Sequence, residues 1–365
     1  MTSLDWGTPP DPPPPDQQRL VGLYGRRGAQ LSLFEDGGAL FADGCGFARA
    51  PVGPARDGVR LATRAPTAEG PSPAPLRLHE RGHAAFITIG EARYERRDFD
   101  SEAAAPERAP NTRDPSPGGP ASPPVDPSAT LANDLVCVLE IDPTIRLDIR
   151  YATADNFMGF PLYEAPVAYL QRPAAEALGR VQRAIAAQGY GLIVHDAYRP
   201  WSITRLFWDA IPPAFRAFVA DPAVGSKHNR GCAVDVTLCA LTDGEAVDMP
   251  GRYDEASARS SAGFTGGASR QRWFRDRLRE AMEAAGFAVQ PDEWWHFDFE
   301  TWRDYPVSDI GLMAIMAPRT TAPPSHCSGA SRSPRKTMAP TIANSGARVS
   351  KSADRPTGSA LRPIR

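Results

Sequence analysis

A chain of 365 residues, 42% hydrophobic and 23% charged, has the length of about two domains and enough apolar material for a sizeable core. Its formal net charge of −2 excludes a whole-chain electrostatic attraction to nucleic acid or to an anionic membrane. No run of about 18 apolar residues is present to span a membrane, and the five cysteines, odd in number and never spaced C-x-x-C, argue against a disulfide framework or an all-cysteine zinc site.

Proline, 38 residues in all, divides the chain. Six of the seven residues from Pro9 to Pro15 are proline, which predicts an extended, solvated and disordered arm over 1–18. That start has no basic segment followed by an apolar one, so no secretory signal is read there. A cytoplasmic location is expected, with the periplasm or cell envelope as the alternative. From 19 to 100, short alternating runs are separated by turn residues. Ala29 to Phe34, then Asp36–Gly37–Gly38, then Ala39 to Phe41 make a hairpin signal, and His83 to Ile89 and Ala92 to Arg97 continue it. This predicts a small antiparallel β domain of unknown role, loosely similar to β-barrel modules appended to cell-wall hydrolases. Eight prolines between Pro106 and Pro127 predict a linker over 101–130, since such a stretch cannot bury enough apolar area to offset ordering.

The segment 131–312 mixes strand and helix. Pro173 suits the first turn of a helix that carries Ala174, Ala177, Leu178, Val181 and Ile185 at helical spacing and stops at Gly189. Leu192–Val194 predicts a strand, as do Gly231 to Leu238 and Trp294 to Phe299. Arg270 to Ala285 predicts a second amphipathic helix ended by Gly286. Strands and helices interleaved in this way indicate an α+β or α/β domain. Beyond it, 313–365 is a low-complexity tail, with nine Lys or Arg and one acid from Ala317 onward, and is expected to be disordered.

Three stretches carry chemistry. His228 and Asp235 are both metal-ligand types, but seven extended residues would hold them roughly 23 Å apart. The chain must therefore double back, and Gly231 tolerates such a turn. In Asp292–Glu293–Trp294–Trp295–His296–Phe297, two indoles stand between an acid and a histidine. They suit a dry wall around a metal, although Glu293 and His296 face one ion only if the strand begins or kinks at Glu293. The third stretch, His195 to Pro200, follows a strand, where catalytic groups often sit. Arg199 either stabilises charge there or pairs with a nearby acid, and His195 reads as structural.

His228, Asp235 and His296 supply three nitrogen or oxygen ligands and leave a fourth position open, the pattern of catalytic rather than structural zinc. Glu293 is then placed to move a water proton to a leaving amine, and Arg199 to hold a developing oxyanion. Together these roles amount to metal-assisted amide hydrolysis.

The stretches Asp148 with Tyr151 to Phe157, Asp196–Tyr198–Arg199–Pro200, His228 to Asp235 and Glu293–Trp294–Trp295–His296 resemble the VanX-type D-alanyl-D-alanine dipeptidases. These are zinc metallopeptidases related to the D,D-carboxypeptidases and to the hedgehog signalling domain. The resemblance covers about 133–310. It implies an α+β fold with a central antiparallel sheet flanked by helices, and one zinc ion on His228, Asp235 and His296. It also implies Glu293 as base, Arg199 as transition-state stabiliser, Asp254 as partner of the substrate's ammonium, and Ser226 beside the substrate. The expected partner is the small dipeptide, in cell-wall precursor metabolism or a glycopeptide-resistance-like role, with the oligomeric state left open. Lys227 and Cys232 stand where this family commonly has Arg and Ser, with small effects expected. Two alternatives remain: a D,D-carboxypeptidase acting on peptidoglycan stem peptides, and a non-catalytic zinc-fold module that binds cell wall.

Overall fold

A computed structural model of the chain describes residues 4–26, 29–54, 56, 59–62, 75–81, 84–97, 121–211, 216 and 219–316. Residues 101–120 of the expected 101–130 linker and 317–365 of the expected 313–365 tail lie outside the described residues. In the parts that are described, Asp126 binds Arg230, the Thr130 amide donates to the Asp304 carbonyl at 3.0 Å, and 313–316 are helical. Among those described, no helix is long and apolar enough to cross a membrane.

Among the described residues between 22 and 95, alternating apolar and polar residues form eight antiparallel strands: β1 (Gly22–Arg26), β2 (Ala29–Asp36), β3 (Ala39–Gly44), β4 (Phe47–Val52), β5 (Val59–Ala62), β6 (Leu76–Arg81), β7 (Ala84–Ile89) and β8 (Ala92–Glu95). They make two four-stranded meanders, β1 to β4 and β5 to β8. The predicted hairpin turn is present, and Gly37 and Gly38 both have positive φ, as a two-residue turn between twisted strands requires. The meanders meet at both seams, where the amide of Gly53 donates to the Leu61 carbonyl and that of Arg97 to the Leu23 carbonyl, each at 2.8 Å. Tyr24, Leu31, Leu33, Leu78 and Ile87 fill the space between them.

Residues 4–18, expected to be a solvated arm, lie instead against the protein. Trp6 is 4% exposed, with its ring 5.4 Å from Tyr190 and 6.0 Å from Trp273. One buried indole supplies the apolar area that the prolines lack. Pro15 then opens the single-turn helix α1 (Pro15–Gln18).

The second half is a mixed assembly of sheet and helix. Two short strands, β9 (Leu135–Cys137) and β11 (Tyr169–Gln171), pair antiparallel, and the turn α2 (Val138–Ile141) follows β9. The main sheet has the order β10-β12-β13-β15-β14, from β10 (Arg146–Leu147), β12 (Tyr190–Asp196), β13 (Ala233–Ala240), β15 (Glu293–Phe299) and β14 (Phe287–Gln290). Only the β10–β12 pair is parallel. The two predicted helices are α3 (Arg172–Ala186) and α5 (Ser269–Glu283). They pack on the sheet and on each other through Leu178, Val181, Phe274 and Leu278. A helix the sequence reading lacks, α4 (Trp201–Ala210), begins directly after Pro200. Proline forbids a helix interior but suits its start, where the missing N–H would have no intrahelical partner. Last comes α6 (Leu312–Met316).

Candidate active site

Sheet pairing lines up the acidic and imidazole groups. Across β12, β13 and β15, Asp196 pairs with Asp235, and Asp235 pairs with His296. His228 reaches the same place from a 3-10 turn, His228–Arg230, that ends at Gly231 in the left-handed conformation (φ 68°). The backbone angle there favours glycine, and a Cβ at Gly231 would press on the end of the Leu135 side chain at 2.5 Å.

The spacing of Glu293 and His296, awkward on a regular strand, is resolved by a register slip. Val289 pairs with Phe297, yet the next residue, Gln290, pairs with Glu293. The bulge between them brings Glu293 and His296 to one side, with Glu293 Oε2 3.7 Å from His296 Nδ1.

Ligand atoms of His228, Asp235 and His296 lie within 4.8 Å of one another. The outward ring nitrogens are already engaged: His228 Nδ1 donates to the Ala197 carbonyl at 2.6 Å, and His296 Nε2 donates to Asp298 Oδ1 at 2.9 Å. Those bonds use the one proton of each neutral imidazole and leave two lone pairs, on His228 Nε2 and His296 Nδ1, facing each other at 3.1 Å. Asp235 Oδ1 lies 3.4 Å from the first and 3.1 Å from the second, and among the described residues no hydrogen bond reaches it. Three inward acceptors with no hydrogen between them fit a cation, and two imidazoles with a carboxylate match a zinc-type donor set. Without one, a proton serves: although burial opposes it, Asp235 and Asp298 push the His296 imidazolium up to about 10. Burial likewise opposes ionisation of Asp235, but the two histidines hold its carboxyl far below the usual range.

Around this centre stand three phenols, those of Tyr151 and Tyr163 buried and that of Tyr253 half-buried, each donating to one carboxylate. Tyr253 donates to Asp235 Oδ2 at 3.0 Å, Tyr163 to Asp196 Oδ1 at 2.7 Å, and Tyr151 to Asp254 Oδ2 at 2.8 Å. Burial raises all three well above the ordinary phenol value, which keeps them donors. The sequence reading named Tyr151 within a motif but gave none of the three phenols a role. The position of Tyr253 next to Asp254 is the one sequence signal that could have marked it.

Arg199, beside the site, does pair with an acid: its Nε and Nη2 fork onto Asp196 Oδ2 at 2.9 and 2.7 Å. The pairing does not remove it from the site, because its charge acts on both Glu293 and Asp254. Burial raises the Glu293 carboxyl above its ordinary value. Asp254 is pushed up to about 8, first by burial and then by the charge of Asp235. Ser226 is buried and its Oγ accepts from the His228 amide at 3.2 Å, so it braces the ligand-bearing turn. His195 lies outside the metal cluster, stacked on Tyr253 at 4.7 Å with Nδ1 3.2 Å from the Asp148 carbonyl. Trp294 and Trp295 are both buried, and Trp295 meets Tyr253 edge-on. Lys227 Nζ binds Asp298 Oδ2 at 2.5 Å, and burial pushes the Cys232 thiol up to about 12, as suits an inert buried residue.

The M15 peptidase family, described as D-Ala-D-Ala dipeptidase, matches residues 131–306. A D-alanyl-D-alanine dipeptidase of Escherichia coli (strain K12) is 32% identical over 187 residues, which cover 51% of this chain and 95% of that protein. One from Enterococcus faecium is 35% identical over 179 residues, 43% of this chain and 87% of the relative. A third, from Streptomyces coelicolor, is 32% identical over 202 residues and is covered in full. With relatives this similar matched over nearly their whole length, the chain belongs to the M15 peptidase family of D-Ala-D-Ala dipeptidases.

Proposed function

We propose that the chain hydrolyses D-alanyl-D-alanine to two D-alanines, using one zinc ion held by His228, Asp235 and His296. The observation that carries this reading is the meeting of three inward lone pairs, on His228 Nε2, His296 Nδ1 and Asp235 Oδ1, with Glu293 beside them. In this reading 131–312 is a zinc-peptidase domain of the hedgehog and D,D-peptidase type, and 19–100 is a β domain added to it.

When bound, zinc supplies Lewis-acid polarisation of a water and of the peptide carbonyl. Glu293, with its raised affinity for protons, takes a proton from the attacking water and gives it to the departing amine. Arg199, oriented by Asp196, donates to the carbonyl oxygen as negative charge grows there. Asp254, gripped by Tyr151, accepts the dipeptide's ammonium, a group that needs a carboxylate once desolvated. Tyr253 holds the second oxygen of Asp235, leaving Oδ1 for the metal.

The test is release of D-alanine by the zinc-loaded protein from free dipeptide and from a pentapeptide stem. Turnover of the dipeptide with the pentapeptide left intact supports the proposal. Turnover of the pentapeptide alone would shift the activity to D,D-carboxypeptidase. No turnover of either, with binding to peptidoglycan, would make the chain a binding module.

A further inference from the structure

The family match begins at residue 131, yet the segment that carries Asp254 is fastened at one end by a residue far outside it. Segment 250–268 runs into α5, whose first residue is Ser269. Ala268, just before it, offers no side-chain oxygen to the free amides of the first turn. Glu35 of β2 does. Its Oε2 accepts from the Ser269 amide at 3.0 Å and from Ser269 Oγ at 2.8 Å, while Oε1 accepts from the Gly38 amide at 2.6 Å. The carboxylate is thus aimed by its own hairpin turn, and its charge complements the positive end of the α5 dipole.

The backbone reinforces the contact. The Glu35 amide donates to the Gly267 carbonyl at 3.1 Å, and Arg272 of α5 donates to the Glu35 and Gly267 carbonyls, both at 2.9 Å. Glu35 is only 1% exposed.

From this anchor the packing continues to Asp254. Gln271 ties the two ends of the segment together: its Oε1 accepts from the Ala268 amide at 2.8 Å and its Nε2 donates to Asp248 Oδ2, two residues before Pro250, at 2.7 Å. Next to Pro250, Gly251 is pressed against Arg259, whose carbonyl would stand 2.9 Å from a Cβ there. Glu255 clasps Arg259 at 2.7 and 2.6 Å and accepts from the Arg252 amide at 2.9 Å. Those bonds close the turn on which Asp254 sits in the left-handed region, with φ at +58°.

We propose that Glu35 is a positioning residue for recognition of the substrate's ammonium: by capping α5 from the β segment it fixes segment 250–268 and, through it, Asp254. This rests on the proposed role of Asp254. It gives the β segment a function in the reaction, that of a brace on the part of the pocket that reads the amine.

The experiment compares the full-length zinc-loaded wild type with Glu35→Ala and Glu35→Gln, with and without Asp254→Ala. Glu35→Ala raises the KM for D-alanyl-D-alanine about fivefold, the size of a lost cap, and leaves kcat within about twofold. Glu35→Gln, which keeps an acceptor, restores most of the KM. In the Asp254→Ala background, Glu35→Ala has no further effect. Amide hydrogen exchange supplies a readout independent of turnover: 250–268 exchanges faster in Glu35→Ala and β12 does not change. An unchanged exchange pattern, or an equal loss of KM in both backgrounds, overturns the proposal. Should Glu35→Ala fail to fold, Ser269→Ala removes a single partner of the cap and is expected to show the same KM shift more weakly; a KM equal to wild type then overturns it. A wild type that cleaves no dipeptide counts against the proposed function, and the exchange result still decides on Glu35.

Discussion

His296 and Asp298 stand two residues apart on one face of β15, and the imidazole Nε2 donates to the carboxylate Oδ1 at 2.9 Å. That bond selects the tautomer whose Nδ1 lone pair faces Asp235, and Lys227 holds the other carboxylate oxygen. A carboxylate behind a ligating histidine raises its basicity and fixes its orientation. Asp298→Asn is therefore expected to weaken zinc binding by about 10–100-fold with the fold intact. Competition against a chromophoric chelator measures it, with circular dichroism as the control. Because an imidazolium pushed up to about 10 must lose its proton before it binds metal, wild-type affinity falls as pH is lowered from that value.

Glu293 lies 3.7 Å from the inward nitrogen of His296 without being one of the three clustered donors. Glu293→Gln should keep zinc and lower kcat by about 10²–10⁴-fold, the usual contribution of a positioned base. Only the ionised carboxylate accepts a proton, so wild-type kcat/KM rises with pH through the Glu293 value. Burial moves that value upward, which places the acidic limb above the ordinary carboxylate range. Metal content by atomic absorption, combined with a pH–rate profile of each protein, checks both statements. A variant with full turnover would remove Glu293 from the proton path.

Much of the sheet and of the donor set was legible in the sequence, and the reasons are physical. Apolar runs such as Leu192–Val194 mark buried strands because both faces of β12 are covered. His228, Asp235 and His296 are legible because their side-chain types suit one chemistry. What was not legible depends on distance or on a local slip. The bulge that turns Glu293 towards His296 arises from pairing with β14 and leaves no trace in the spacing of the two residues. Helix α4 was hidden because Pro200 reads as a breaker until the direction of the chain beyond it is known. The phenols of Tyr151, Tyr163 and Tyr253 resemble core residues, and only their partners show them to be donors. Glu35 meets Ser269 across 234 residues, beyond the reach of any local pattern.

Arg199 is held by two bonds to Asp196, a fork that a primary ammonium cannot reproduce. Arg199→Lys keeps the charge and loses the orientation. It is expected to lower kcat by about 10²–10³-fold, the cost of one misplaced donor at a developing oxyanion, with KM for the dipeptide little changed. Steady-state kinetics with zinc saturating separates the two parameters. An equal rise in KM instead would mean that Arg199 binds the ground state.

Asp254 combines a left-handed backbone, φ +58°, with a half-buried carboxyl pushed up to about 8 from an ordinary 3.8. Asparagine tolerates the same backbone region and still accepts from Tyr151, so Asp254→Asn changes charge without adding strain. In the unfolded chain the carboxyl ionises from about pH 4 upward, whereas the folded, metal-free protein keeps the proton until about pH 8. The unfolded state therefore binds fewer protons in that window, and the wild type loses stability across it and no further above it. Asp254→Asn escapes the loss. Calorimetry of the metal-free proteins should show the variant melting above wild type, by a margin that opens from about pH 4 and levels off above about 8. The same variant should bind the dipeptide poorly, since a neutral amide cannot balance the ammonium. A margin that stays flat with pH would mean that Asp254 ionises as freely in the fold as outside it. Its place as a carboxylate held strained for the substrate would then be lost.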